Sequence, residues 1–326
     1  MRRRALLSAS ATGLAATAGC LGPAFGFGTD CPRGADLRLR PTTDADTADG
    51  ASDPVESLSP PERAAARDAI GGATPTMWCP EPSSPPFSDS AFLTADGTYV
   101  VAETAVVSTA DRTGDEFTLE TAPETTTGNA VAFADLPAVD RTALYTAFGY
   151  PGSREMARFD RARSISIGAL LAYPDDETEA RSELVPEPAA ETLRLGGQDF
   201  RFRIERTKPT TVETRRVEVR TVADSTDEFV ALVYDRYGAD LDERGLSAEQ
   251  RDIVETAIDD GYDECAPYSE AYANLQRTLG RQVTRVTDDG DGDGVVTTPA
   301  ADAPERIDYA NYGNEWYFVQ LSEYVV

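Results

Sequence analysis

LSPPERAAARDAI (58–70), LPAVDRTALYTAF (136–148) and LSAEQRDIVETAI (246–258) share one frame. A leucine is followed four residues later by an acid or amide, then Arg, and after five more residues by Ala and Ile or Phe. The positions are Leu58, Glu62, Arg63, Ala69 and Ile70; Leu136, Asp140, Arg141, Ala147 and Phe148; and Leu246, Gln250, Arg251, Ala257 and Ile258. Each copy predicts a short helix. Ser59-Pro60-Pro61-Glu62 and Ser247-Ala248-Glu249-Gln250 have the form of capping boxes, the first with proline at the first helical position. The middle copy has Pro137 in that place, which leaves Asp135 as its candidate cap. Gly71, Gly149 and Gly261 stand ready to stop the helices. In the third copy Ile253, Val254, Ala257 and Ile258 fall on one face.

Strand patterns recur around these helices. Before them come Asp36–Arg40, Glu116–Glu120 and Arg216–Arg220, each alternating with period two. After them come apolar runs that turn at Asp96-Gly97, Gly196-Gly197 and Gly313-Asn314 into second strands opened by Tyr99, Phe200 and Trp316. The expected fold is therefore α+β, with tandem strand–helix–hairpin modules in three suspected copies. Their helices start 78 and 110 residues apart, too far for a tight solenoid. The predicted boundaries are 37–110, 111–210 and 211–326. Residues 40–57, rich in Asp, Thr, Gly and Pro, read as an acidic mobile loop within the first module. The competing reading is three ordinary amphipathic helices with no common design.

The charge balance is extreme. Fifty-seven acidic residues face 30 basic ones, for a net charge of −27; there is no His, and Lys208 is the sole lysine. Such a surface argues against nucleic-acid binding, which needs cations for phosphates. It also argues against adhesion to an anionic bilayer by charge. Without His, Ser-His-Asp triads and imidazole metal sites are excluded. No convergent catalytic set stands out among the carboxylates, and pairs such as Asp175-Asp176 and Asp259-Asp260 are ordinary in so acidic a chain. The reading is of a protein that is not an enzyme and has no resident cofactor.

The N-terminus supplies an address. Arg2, Arg3 and Arg4 precede a mildly apolar stretch of small residues, and Thr17-Ala18-Gly19 leads to Cys20. Residues 1–19 have the layout of a signal peptide, too short to span a bilayer. Arg3-Arg4-Ala5-Leu6-Leu7 resembles the twin-arginine export pattern, and Thr17–Cys20 resembles a lipobox with Thr17 in place of the usual aliphatic. An ordinary cleavable signal with a coincidental cysteine is the alternative. With the carboxylate excess and near absence of Lys, the whole resembles an exported lipoprotein of haloarchaea. Molar salt shortens the Debye length to about 3 Å and so screens self-repulsion of the acidic surface. The resemblance implies lipidation at Cys20, a flexible, disordered tether over 20–36, and a place on the extracytoplasmic face of the membrane.

Two further features bear on sites. Cys31, Cys79 and Cys265 remain after Cys20. Cys31–Cys79 is the preferred disulfide, because Cys31 precedes the first strand and Cys79 follows the first helix; Cys79–Cys265 is the rival. Asp289, Asp291, Asp293 and Gly294 match the start of a calcium loop. Position twelve is Ala300 and not a bidentate Glu, so any Ca²⁺ site there would be weak and incomplete; an acidic solvated turn is the plainer reading. Trp78 and Trp316 read as core aromatics. The expected function is a lipid-anchored surface protein in a non-catalytic binding or envelope-structural role, its protein or small-molecule partner unknown. A solute-binding lipoprotein of a transporter is the second reading.

Overall fold

The computed structural model describes residues 33–88, 91–122, 130–150, 164–165, 170–280, 283–286, 295–298 and 307–325. It is a mixed α+β structure with two mixed sheets and, among the described residues, seven α-helices. All three helices predicted from the shared frame form. In chain order the helices are α1 (Asp44–Ala51), α2 (Pro60–Ile70), α3 (Ala138–Ala147), α4 (Asp176–Glu179), α5 (Thr226–Tyr237), α6 (Ala248–Asp259) and α7 (Glu270–Thr278). Gly72, Gly149 and Gly261 take positive φ beyond the ends of α2, α3 and α6, a conformation open to glycine at little cost.

The chain divides into two compact units. One spans Gly50–Ser225; the other joins the described residues up to Asp49 to those from Thr226 onward.

Gly50–Ser225 holds a nine-stranded sheet. Its strands are β2 (Asp53–Pro54), β3 (Thr76–Pro80), β4 (Leu93–Ala95), β5 (Thr98–Thr121), β6 (Ala130–Ala132), β7 (Ser164–Ile165), β8 (Leu170–Leu171), β9 (Thr192–Leu195) and β10 (Gln198–Ala223). The main path is β2-β4-β5-β10-β9-β6, with β3 on β10 and β7 and β8 on β5. Two very long antiparallel strands, β5 and β10, form its spine. At one end α2 covers Leu93, Val100 and Val217 with Leu58, Ala65 and Ala66. At the other end α3 covers Phe117, Leu119, Leu193, Phe200 and Phe202 with Leu136, Ala143 and Leu144. Each Leu, Val or Phe so buried contributes about 1.5–3 kcal/mol.

The second unit holds β1 (Arg33–Pro41), β11 (Gly238–Asp240), β12 (Tyr262–Cys265), β15 (Tyr309–Tyr312) and β16 (Glu315–Val325), in the order β11-β15-β16-β1-β12. A separate antiparallel pair joins β13 (Val283–Val286) to β14 (Val295–Thr298). Leu246, Val254 and Ala257 of the α6 segment pack against Leu37, Leu39, Ala310, Tyr317 and Val319.

The three glycine-marked hairpins form at the predicted turns. Leu93 lies opposite Val100, Leu193 opposite Phe200 and Ala310 opposite Tyr317. On the far side of each second strand the pairs are Ala102–Val219, Phe202–Leu119 and Val319–Leu39. A short parallel strand flanks each hairpin: β2 on β4, β6 on β9, β11 on β15.

Three expectations change. First, Asp36–Arg40 does not pair with the other strands predicted for the first module. It lies between β12 and β16, beside α6, while Val217 of the Arg216–Arg220 run lies under α2. Second, the boundaries drawn at 110/111 and 210/211 fall inside β5 and β10. Gly114-Asp115 has the form of a turn but does not break β5, and each strand runs on from one core into the next. Gly114 permits the closeness this requires, since a Cβ there would stand 3.2 Å from Leu170 and Thr210 side chains.

Third, much of the acidic stretch 40–57 is helical, as α1, followed by β2 and a 3-10 turn at Val55–Ser57. Thr43 and Asp46 close a reciprocal cap: Asp46 N donates to Thr43 Oγ1 at 3.2 Å, and Thr43 N to Asp46 Oδ2 at 3.3 Å. Thr47 and Ala48 are buried. The tether assigned to 20–36 likewise yields its last residues, from Arg33, to β1.

Candidate functional site

The shared frame places an acid and an arginine at the start of α2 and of α3. Both acids are buried. Glu62 accepts from the Ser59 hydroxyl at 2.8 Å and from Phe87 N, 25 residues on, at 2.9 Å. Asp140 accepts from the Tyr173 hydroxyl at 2.6 Å and from Glu183 N at 2.8 Å. Each therefore ties a later segment of chain to its helix start. The following arginine points back: Arg63 Nη2 donates to the Leu58 carbonyl at 3.1 Å, and Arg141 Nη1 to the Leu136 carbonyl. At α6 the position is an amide and only partly buried. Gln250 and Ser247 form a complete capping box, at 2.9 and 3.1 Å. Around α3 the sequence points to the wrong cap, for the N-cap is Pro137, with no side-chain hydrogen bond.

An open cleft of about 630 Å³ lies over the middle of the β5–β10 spine, with Glu81, Asp111, Arg112, Lys208 and Thr210 on its walls. Lys208, the sole lysine, is 3.0 Å from Glu116. Hydrogen bonds from Arg206 and Lys208 hold the Glu116 carboxyl below its ordinary pKa. Arg112 pairs with Asp176 at 2.6 Å and Glu179 at 2.9 Å, and the bond to Asp176 is the main cause of its raised pKa. Both cations of the cleft already carry carboxylate partners, so it is not a ready trap for an anion.

The cysteines correct the preferred pairing. Cys79 is buried and carries a free thiol, so no Cys31–Cys79 or Cys79–Cys265 bridge exists. Its Sγ lies 3.3 Å from the Ser83 and Ser84 carbonyls, and burial pushes its pKa up to about 11. Cys265, which the preferred pairing would leave over, is exposed and disulfide-bonded. Its neighbour across the ladder is Gly34. β12 brings it beside the N-terminal strand, which spacing along the chain does not reveal. Its partner, like Cys20, Cys31 and the calcium-loop residues Asp289, Asp291 and Asp293, lies outside the described residues.

Among the described residues no group of three or more Cys, Asp or Glu is placed to hold a metal ion, and no helix is long and apolar enough to cross a membrane. Trp316 stacks on Tyr234 with ring centres 3.9 Å apart, a packing role. No protein family, no curated protein and no solved structure matches the chain.

Proposed function

We propose that the protein is a lipid-anchored component of the extracytoplasmic membrane face, acting by binding or by building the envelope and not by catalysis. The observation that carries this is the N-terminal layout: Arg3-Arg4 ahead of two leucines, a short stretch of small residues, and Cys20 after Ala18-Gly19. The acidic, lysine-poor composition supports a saline exterior, where a short Debye length permits such charge. A disulfide at Cys265 supports an oxidising compartment. Because Cys79 is free, lipidation of Cys20 leaves Cys31 as the partner of Cys265.

The body is three copies of one design, with the first and third copies exchanging their leading strands. The support is the repeated strand order: β2-β4-β5-β10-β3, β6-β9-β10-β5-β8 and β11-β15-β16-β1-β12. The equivalent pairs Ala102–Val219, Phe202–Leu119 and Val319–Leu39 hold one register throughout.

Detergent phase partitioning of the full chain, expressed in a host with twin-arginine export, tests the anchor. The wild-type chain should enter the detergent phase with an N-terminal mass shift, and Cys20→Ser should stay in the aqueous phase. Membrane retention of Cys20→Ser would overturn the anchor.

A further inference from the structure

A second, smaller hollow of about 210 Å³ lies within Gly50–Ser225, between α2 and β3. Its walls are mostly apolar, from Pro61, Ala65, Pro75, Met77 and Trp78, and Asp68 stands among them. Trp78 is half-buried. Its Nε1 is enclosed and has no hydrogen-bond partner, so what the indole offers a ligand is ring carbon and not its N–H. Asp68 is exposed, and its carboxylate has no ion-pair partner among the described residues; the adjacent Arg67 is taken up by Glu56. Two hydroxyls complete the polar lining: that of Thr142 donates to the Ala138 carbonyl at 3.0 Å, and that of Thr76 lies on the exposed side of the hollow.

We propose that this hollow binds an alkylated ammonium group. A positive charge is selected by the Asp68 carboxylate, unpaired among the described residues, and by the electron-rich indole of Trp78 in the same lining. Methyl-covered nitrogen is selected over a primary ammonium because the walls are mostly hydrocarbon, and one carboxylate with two hydroxyls, one of them already donating within its helix, offers little to three N–H donors. A bare metal ion fits poorly, since the hollow presents a single carboxylate where hard cations need six or more oxygen ligands. Strong salt would screen the pull of Asp68 but leave the contact between methyl groups and ring, so the site remains usable in saline surroundings. The inference deepens the binding role proposed above by naming a ligand class, and it does not require the lipid anchor.

The test uses the full chain with Trp316→Phe, which leaves Trp78 as the sole indole. Its fluorescence is followed during titration with tetramethylammonium chloride at constant ionic strength, beside tert-butanol as an uncharged group of similar shape. The expected result is a saturable change with the ammonium and binding about tenfold weaker, or weaker still, with tert-butanol. Asp68→Asn should weaken the ammonium several-fold, while Asp68→Glu should retain it. A melting-temperature shift in the wild-type chain, lost in Trp78→Leu, gives a readout independent of fluorescence. Equal binding of tert-butanol, an unchanged affinity in Asp68→Asn, or no saturable response would each overturn the proposal. Failure of the anchor would appear separately, in detergent partitioning.

Discussion

The two compact units solve one packing problem with different chain routes. Within Gly50–Ser225, β5 and β10 each complete two cores, because the second strand of each hairpin runs on to become the central strand under the other helix, β5 under α3 and β10 under α2. In the other unit β16 ends at Val325, and the central strand is supplied from far away in sequence, by β1 at the N-terminus. The same opposed pairs appear in both. Register and face are thus set by local pattern, while the identity of the neighbouring strand is set by where the chain happens to be available.

That contrast can be broken most severely at β1. Leu39→Asp places an unpaired charge in a core where Leu39 is 2 % exposed, and should cost about 4 kcal/mol or more. Calorimetry should then show the transition of the α6-bearing unit lost or strongly lowered, with that of Gly50–Ser225 retained. A uniform fall of both would refute the division of roles. The next largest effect should come from Asp140→Asn, which removes an acceptor from either the Tyr173 hydroxyl or Glu183 N. Leaving one buried donor unsatisfied should cost about 2–3 kcal/mol in denaturant unfolding. At the equivalent position of α6, Gln250→Ala loses one arm of an exposed cap and should cost about 1 kcal/mol or less. If the two substitutions cost the same, burial of the acid is not what distinguishes the copies.

A pH titration sharpens the comparison further. Burial raises Tyr262, Tyr268 and Tyr309 of the α6-bearing unit to about 12. Unfolded tyrosine ionises near 10, so above that pH the unfolded state sheds protons that the folded state keeps. Their contribution to stability is complete below about pH 10 and is lost as pH rises through 12. Absorbance at 295 nm should show delayed phenolate formation in the folded protein, abolished by denaturant. The smallest effect is chemical. Cys79, with its pKa near 11, should resist alkylation at pH 8 until the protein is denatured, while Cys265 should become reactive only after reduction.

The helices and hairpins are legible because their signals are local. Ser59 and Ser247 cap the helices they precede, and each two-residue turn lies where a glycine permits it. Strand partnership is not legible. Leu37 and Leu39 alternate as Phe117 and Leu119 do, and alternation tells which face is buried but not which strand lies alongside. Helix α1 escapes a reading by composition because DADTADGA is poor in helix formers; the reciprocal Thr43–Asp46 cap and burial of Thr47 and Ala48 outweigh propensity there. The disulfide misleads for a related reason: Cys79 is near Cys31 along the chain, whereas β12 carries Cys265 to the edge of β1.

The placement of β1 has a mechanical consequence. In the proposed anchored chain, a pull from Cys20 would reach the body ahead of Arg33, where the proposed Cys31–Cys265 bridge would divide it between β1 and β12. That strand is held on one edge by β16, over nine opposed residue pairs, and on the other by β12, over four. Both partners run antiparallel to it, so such tension would load the nine-pair ladder to β16 in shear, with β12 drawn along beside β1. Were the anchored strand at an edge and pulled across its ladder, the bonds would break singly, in succession. In the proposed anchored protein the load would therefore fall on a strand held from both sides.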